Sequence, residues 1–138
     1  MTQDWILDEV VRIARLAGQE ILEVYASNAL AVEYKLDSSP LTEADRRAND
    51  LIVNELSRIT PDVPILSEES AQVPFGIRKE WSRFWLVDPL DGTREFIKRN
   101  GEFTVNIALI ENNRPVLGVV QVPVTDQCYV GCMSNSDG

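Results

Sequence analysis

Histidine is absent from this chain, and cysteine occurs only twice, at Cys128 and Cys132. With no histidine and no second cysteine pair, the sequence offers no ligand set for a structural zinc. The two thiols read as reduced cysteines in a strand. Cationic side chains are also scarce. Thirteen Lys and Arg stand against 22 Asp and Glu, for a net charge of −9 and a sequence pI near 4.4. Such a surface repels polyanions and excludes DNA or long RNA as partners. A small phosphorylated molecule stays open, because bound cations reverse the field inside a site. No apolar run is long enough to span a bilayer. The start, Met1-Thr2-Gln3-Asp4, has no basic region and no cleavage pattern, so a cytoplasmic protein is expected. Peripheral attachment to the cytoplasmic face of the inner membrane is compatible with that location. Internal repeats and low-complexity segments are missing too.

What is present suits one domain. The chain has 138 residues, 44% apolar and 25% charged, enough for a modest core. Trp5, Ile6, Val10, Ile13, Ala14, Ala17, Ile21 and Val24 recur at helical spacing, which predicts a helix from residue 4 to about 26, with Asp4 as a cap. Alternation from Ala29 to Lys35 suggests a short strand, followed by a polar loop to Leu41. Thr42 is expected to open a second helix in a capping-box pattern with Asp45. Its buried face is Ala48, Leu51, Ile52, Leu56 and Ile59, and Pro61-Asp62 breaks it. Val63 to Leu66 reads as a strand, 71–80 as a loop, and Trp81 to Val87 as a second strand. A turn and a short helix, Thr93 to Lys98, should follow. Three more strands are expected at Thr104 to Ile110, Val116 to Val122 and Cys128 to Cys132, with Asn112-Asn113 as a hairpin turn. Helices first and strands after predict an α+β fold, two long helices packed on a largely antiparallel sheet. Met133 to Gly138 is turn-like and reads as an interruption, not a natural end.

Acidic residues gather at three places. Glu68 and Glu69 follow an apolar strand directly, where carboxylates are placed to hold a hard cation. An isolated Glu-Glu pair is more often a solvated loop. Asp88 and Asp91 also follow a buried strand, with Pro89 stiffening the turn between them and the Leu90 carbonyl available as a further oxygen ligand. Oxygen-only ligands suit Mg²⁺ or Mn²⁺. Gly92 and Thr93 come next and open a helix, whose free amides form an anion site that glycine lets a phosphate approach. A plain Asp N-cap would explain Asp91, but not Asp88 or the second acidic cluster. Asp45, in the first turn of the second helix, is either a cap worth about 0.5–1 kcal/mol or a group that acts on a water or on the Thr93 hydroxyl. Together these positions fit two-metal phosphate hydrolysis.

The run Trp85-Leu86-Val87-Asp88-Pro89-Leu90-Asp91-Gly92-Thr93-Arg94-Glu95-Phe96 resembles the signature of the inositol monophosphatase superfamily, which are lithium-sensitive, Mg²⁺-dependent phosphatases. Leu41 to Asp45 and Leu66 to Ser70 are similar to its two earlier motifs, in the right order. Phe96 to Ala108 resembles the CysQ branch more closely. Its members are 3′(2′),5′-bisphosphate nucleotidases, which convert adenosine 3′,5′-bisphosphate to AMP and phosphate and clear a by-product of sulfate assimilation. The likeness covers essentially the whole chain.

The resemblance implies the following. Residues 1–138 would be the N-terminal metal- and phosphate-binding half of a layered α/β/α/β/α sugar-phosphatase fold, without the C-terminal α/β half. Two or three Mg²⁺ ions would bind, with Mn²⁺ a substitute and Li⁺ an inhibitor. Glu68, Asp88 and the Leu90 carbonyl would hold the first ion, Asp88 and Asp91 the second, and Glu69 a further ion or its water shell. Glu68, Asp91 and the Gly92 and Thr93 amides would face the phosphate, and Thr93 with Asp45 would activate the attacking water. Lys35 and Asp37 would lie in a mobile loop. The missing half carries another metal-ligand aspartate and most substrate contacts, so weak or no catalysis is expected of this chain alone. The expected partners are a small phosphorylated nucleotide and either the missing half or a second copy as a homodimer. An inositol- or sugar-phosphate phosphatase is the enzyme alternative, and a non-catalytic metal-binding fragment is the other.

Overall fold

The computed structural model describes residues 4–27, 40–67, 81–92 and 102–132. Two helices come first, α1 (Asp4–Ser27) and α2 (Pro40–Ile59). Five strands follow, β1 (Ile65–Ser67), β2 (Arg83–Asp91), β3 (Thr104–Glu111), β4 (Arg114–Val122) and β5 (Gln127–Cys132). They form one sheet in sequence order. β1 pairs with β2 in parallel, and every later pair is antiparallel. The expected α+β arrangement of two helices on a largely antiparallel sheet is what the chain adopts.

Periodicity explains the layers. On α1, Val10, Ile13, Ala14, Ala17, Ile21 and Val24 are buried, and on α2, Ala44, Ala48, Ile52 and Leu56. These are the three- and four-residue steps of one helical face. Alternation along the strands buries Trp85, Val87, Val105, Ile107, Leu109, Leu117 and Val119 against them. α1 lies over β3 and β4, and α2 over β2. The other sheet face leaves Leu86, Val120 and Tyr129 exposed.

Arginines join the helices along their outer edges. Arg12 bridges Glu9 and Glu55, each at 2.8 Å, and Arg47 reaches Glu20 at 2.6 Å. Hydrogen bonds from Arg12 hold the Glu9 and Glu55 carboxyls below the usual carboxylate range, so both stay charged further into acid than a free glutamate. These side chains are only partly buried, and each pair contributes up to about 1 kcal/mol.

At Gly18, α1 approaches β4 closely. A Cβ there would lie 2.5 Å from Gln121 Oε1 and 3.3 Å from Pro123 Cγ. Gln121 is buried, and its amide nitrogen donates to Asp126 Oδ1 at 2.8 Å, so the side chain has little room to yield. Alanine would gain about 1 kcal/mol in helix propensity. Overpacking costs about 1–3 kcal/mol and outweighs it. Gly18→Ala should therefore lower stability by roughly 1 kcal/mol, read as a lower urea midpoint.

Several boundaries differ from expectation. α2 begins at Pro40, so Thr42 sits inside its first turn instead of capping it. Proline suits the first helical position, since it lacks the amide that would be unpaired there. β1 is Ile65–Ser67, not Val63 to Leu66, because the Val63 amide still donates to the Thr60 carbonyl at 3.1 Å in the turn after α2, and pairing with β2 starts only where the Pro64 carbonyl accepts from the Trp85 amide at 2.9 Å. The Asn112-Asn113 hairpin is as expected, with φ of 52° and 67° at its two residues. The strand at Ala29 to Lys35, the 71–80 loop, the helix at Thr93 to Lys98 and the Met133 to Gly138 tail lie outside the described residues, as does the Asp4 side chain.

Candidate metal and phosphate site

The largest departure concerns β2. It does not stop at Val87 before a turn but runs on to Asp91. Asp88 pairs with Asn106 and Asp91 with Thr104, so three steps on β2 match two on β3. The extra residue is a β-bulge. Pro89 has no amide to give the ladder, and a bulge is one of the few places inside a sheet that tolerates it.

That bulge has a chemical consequence. Side chains three apart on a regular strand point to opposite faces. Val87 is buried and Asp88 is half-buried on the outer face, but Pro89 and Leu90 are both buried, and Asp91 is exposed again. The added residue restores Asp91 to the face of Asp88. Leu90 thus lies within the strand with its side chain in the core, 3% exposed, instead of standing in a free turn. Gly92 follows with φ of 95°, a conformation that glycine adopts without strain.

The neighbouring strand ends at the same edge. β1 runs parallel to β2, and Ser67 is paired with Val87. The next residues in sequence are Glu68 and Asp88. Ser67 is buried, and its hydroxyl donates to Asn49 Oδ1 of α2 at 2.5 Å. Asp45 is half-buried and one helical turn before Asn49, on the same side of α2. Outward on β3, the Asn106 amide nitrogen donates to Asp91 Oδ2 at 3.0 Å, and the Thr104 hydroxyl donates to Asn106 Oδ1 at 3.0 Å. An open trough lined by Leu86, Ala108, Gly118 and Gly131 runs beside Asp88 and Asn106.

Asp88 and Asp91 are thus brought to one face, with Gly92 beside them and Leu90 behind. Glu68, Glu69, Thr93, Lys35 and Asp37 lie outside the described residues. Among the described residues, no three His, Cys, Asp or Glu side chains gather into a metal-sized group. Asn49, Ser67, Thr104 and Asn106 were not expected at the site. Asn106 was legible in part, since alternation with buried Val105 and Ile107 puts it on the outer face. Cys128 and Cys132 are not joined in a disulfide, and burial pushes the Cys128 thiol up, away from reactivity.

Comparison with known proteins identifies the family and the fold. The model of the inositol monophosphatase family matches residues 3–136. The chain belongs to that family. Two similar relatives are named 3′(2′),5′-bisphosphate nucleotidase CysQ. The protein from Escherichia coli strain K12 is 53% identical over 125 residues, 90% of this chain and 50% of that protein. The one from Salmonella typhimurium is 54% identical over 126 residues, again 90% and 50%. Among solved structures, CysQ from Bacteroides thetaiotaomicron superposes with a TM-score of 0.83 at 44% identity, covering 94% of this chain and 46% of that one. The chain therefore spans about half the length of the relatives it matches. No helix among the described residues is long and apolar enough to cross a membrane.

Proposed function

We propose that this chain is the metal- and phosphate-binding half of a Mg²⁺-dependent 3′(2′),5′-bisphosphate nucleotidase that hydrolyses adenosine 3′,5′-bisphosphate to AMP and phosphate. The observation that carries this reading is the bulge that sets Asp88 and Asp91 on one face, at the end of a parallel strand pair and beside Gly92. The donor set fits the ion. Carboxylate and carbonyl oxygens without imidazole or thiolate suit Mg²⁺, with Mn²⁺ as substitute. Bound Mg²⁺ would neutralise phosphate charge and lower the pKa of water. In this reading Glu68, Asp88, Asp91 and the Leu90 carbonyl hold two ions, and Glu69 holds a third or its water shell. The Gly92 and Thr93 amides bind the phosphate. Water would attack phosphorus as the bond to the ribose oxygen breaks, the Thr93 hydroxyl would relay the water's proton to the Asp45 carboxylate, and the departing ribose oxygen would take a proton from solvent water to become the hydroxyl of AMP. Lys35 and Asp37 belong to a loop over the site, and Li⁺ inhibits.

The likeness to the Escherichia coli and Salmonella CysQ proteins supports the nucleotide substrate, and a cytoplasmic setting belongs to the same proposal. The exposed Leu86, Val120 and Tyr129 support a covered outer sheet face, supplied by the other half of a family-length protein or by a second copy. We place the residues described here in an N-terminal domain, with substrate contacts contributed mostly from elsewhere.

The family match keeps an inositol-phosphate phosphatase as the second reading. The test compares phosphate release from adenosine 3′,5′-bisphosphate and inositol 1-phosphate by the family-length protein in Mg²⁺. We expect kcat/KM to favour the nucleotide by about 10²-fold or more, since base and second phosphate offer contacts that inositol lacks. A preference for inositol 1-phosphate would overturn the assignment.

A further inference from the structure

We propose that Asn106, clamped by Thr104, is a positioning residue that fixes which oxygen of Asp91 faces the cation. The inference rests on the reading of Asp88 and Asp91 as cation ligands. Asn106 is the direct cross-strand partner of Asp88, yet its amide nitrogen bonds Asp91 Oδ2 at 3.0 Å. The bulge brings Asp91 within that reach, so one side chain stands between both aspartates.

Asp91 needs such a holder. It is exposed at the end of β2, and the carboxylate torsion of an aspartate has a broad, two-fold preference. The backbone alone does not choose between its oxygens. A donor fixed on Oδ2 leaves Oδ1 to turn toward a cation. The holder must itself be oriented, because an asparagine amide presents a donor on one side and an acceptor on the other. The Thr104 hydroxyl settles this by donating to Asn106 Oδ1 at 3.0 Å. With its carbonyl engaged there, the amide turns its nitrogen to Asp91. The flipped amide would set a carbonyl against a carboxylate and leave the hydroxyl without this acceptor.

A folding role accounts poorly for the arrangement. Asn106 and Thr104 are only half-buried, whereas their neighbours Phe103, Val105 and Ile107 form the core. Their side chains can be changed without touching that core. Outer-sphere partners that orient metal ligands typically set metal affinity or activity by 10–100-fold.

The test uses the family-length protein, with Mn²⁺ binding followed by the electron paramagnetic resonance of the free ion. Turnover of adenosine 3′,5′-bisphosphate is measured in parallel against Mg²⁺ concentration. Asn106→Leu, which keeps the branching of the side chain and removes its polar atoms, should weaken Mn²⁺ binding about tenfold or more and raise the half-saturating Mg²⁺ by a similar factor. The nucleotide KM at saturating Mg²⁺ should change less than about twofold, since Asn106 orients a metal ligand and not the nucleotide. Thr104→Val should shift both metal readings the same way by a smaller factor, and Thr104→Ser should restore them. If Asn106→Leu does not fold, Asn106→Gln provides the same readings, because its extra methylene moves the amide away from Asp91. Wild-type Mn²⁺ affinity in the Asn106 variant would overturn the inference while leaving the site reading intact. Wild-type behaviour of Thr104→Val would overturn the part given to Thr104. A wild-type protein that binds no Mn²⁺ would overturn the site reading itself, and the inference with it.

Discussion

Asp88→Asn should abolish Mg²⁺-dependent phosphate release, by at least about 10²–10³-fold, while the fold persists. Removing one neutral donor from a charge-stabilising site typically costs about that much. Here the loss is a full negative charge from the group proposed to touch both ions, so the figure is a lower bound. Asparagine keeps the shape of the side chain, which is half-buried on the outer face and away from the helical core. Isothermal calorimetry of the family-length protein should lose its Mg²⁺ heat in parallel with activity. Hydrolysis that survives the substitution would leave the acidic cluster as a strand cap and a solvated loop. Asp91→Asn is a weaker probe, since a retained bond to Asn106 could hold the amide in a partly useful position.

The elements that proved legible are those with long, regular patterns. α1 shows seven buried apolar residues in helical phase, and the β3–β4 hairpin is marked by two asparagines that tolerate positive φ. Such signals are local, so the sequence carries them without reference to the rest of the fold. The acidic positions were legible for another reason. Asp88, Asp91 and Gly92 are chemically unusual next to a buried strand, whatever conformation joins them.

What was hidden depends on pairing. Proline inside a strand pattern normally argues for a turn, which is what the sequence around Pro89 predicts. Only the register with β3, Asp88 to Asn106 and then Asp91 to Thr104, reveals a bulge in its place. The sequence spacing of Asp88 and Asp91 would even place them on opposite faces of a regular strand. Asn106 and Thr104 were invisible for a similar reason. Asn106 reaches Asp91, fifteen residues away, and Thr104 acts through Asn106, all in a register that no local pattern encodes. The Asn49–Ser67 bond, between a helix and a strand end, is of the same kind.

Trp85→Ala should be the most destabilising single change in the described core, at about 3–5 kcal/mol. Trp85 is fully buried near the middle of the sheet, and its indole nitrogen donates to Thr60 Oγ1 at 2.9 Å. The Thr60 hydroxyl in turn donates to the Leu56 carbonyl at 2.9 Å, at the end of α2. The substitution opens a large cavity and also removes the link between β2 and α2. Domains of this size have total stabilities of about 5–15 kcal/mol, so much of the native population is at stake. Trp85→Phe, which keeps most of the volume and loses the hydrogen bond, should cost only about 1–2 kcal/mol. β2 carries Asp88 three positions on, so stability and chemistry meet in one strand. The two separate by linkage. Mg²⁺ at 100 times its dissociation constant should return about 2.7 kcal/mol to Trp85→Ala, because binding draws on the folded state alone. The double variant Trp85→Ala with Asp88→Asn should regain almost none of it. Thermal unfolding of both proteins with and without Mg²⁺ decides the matter: equal recovery in the two would mean that the ion acts away from Asp88.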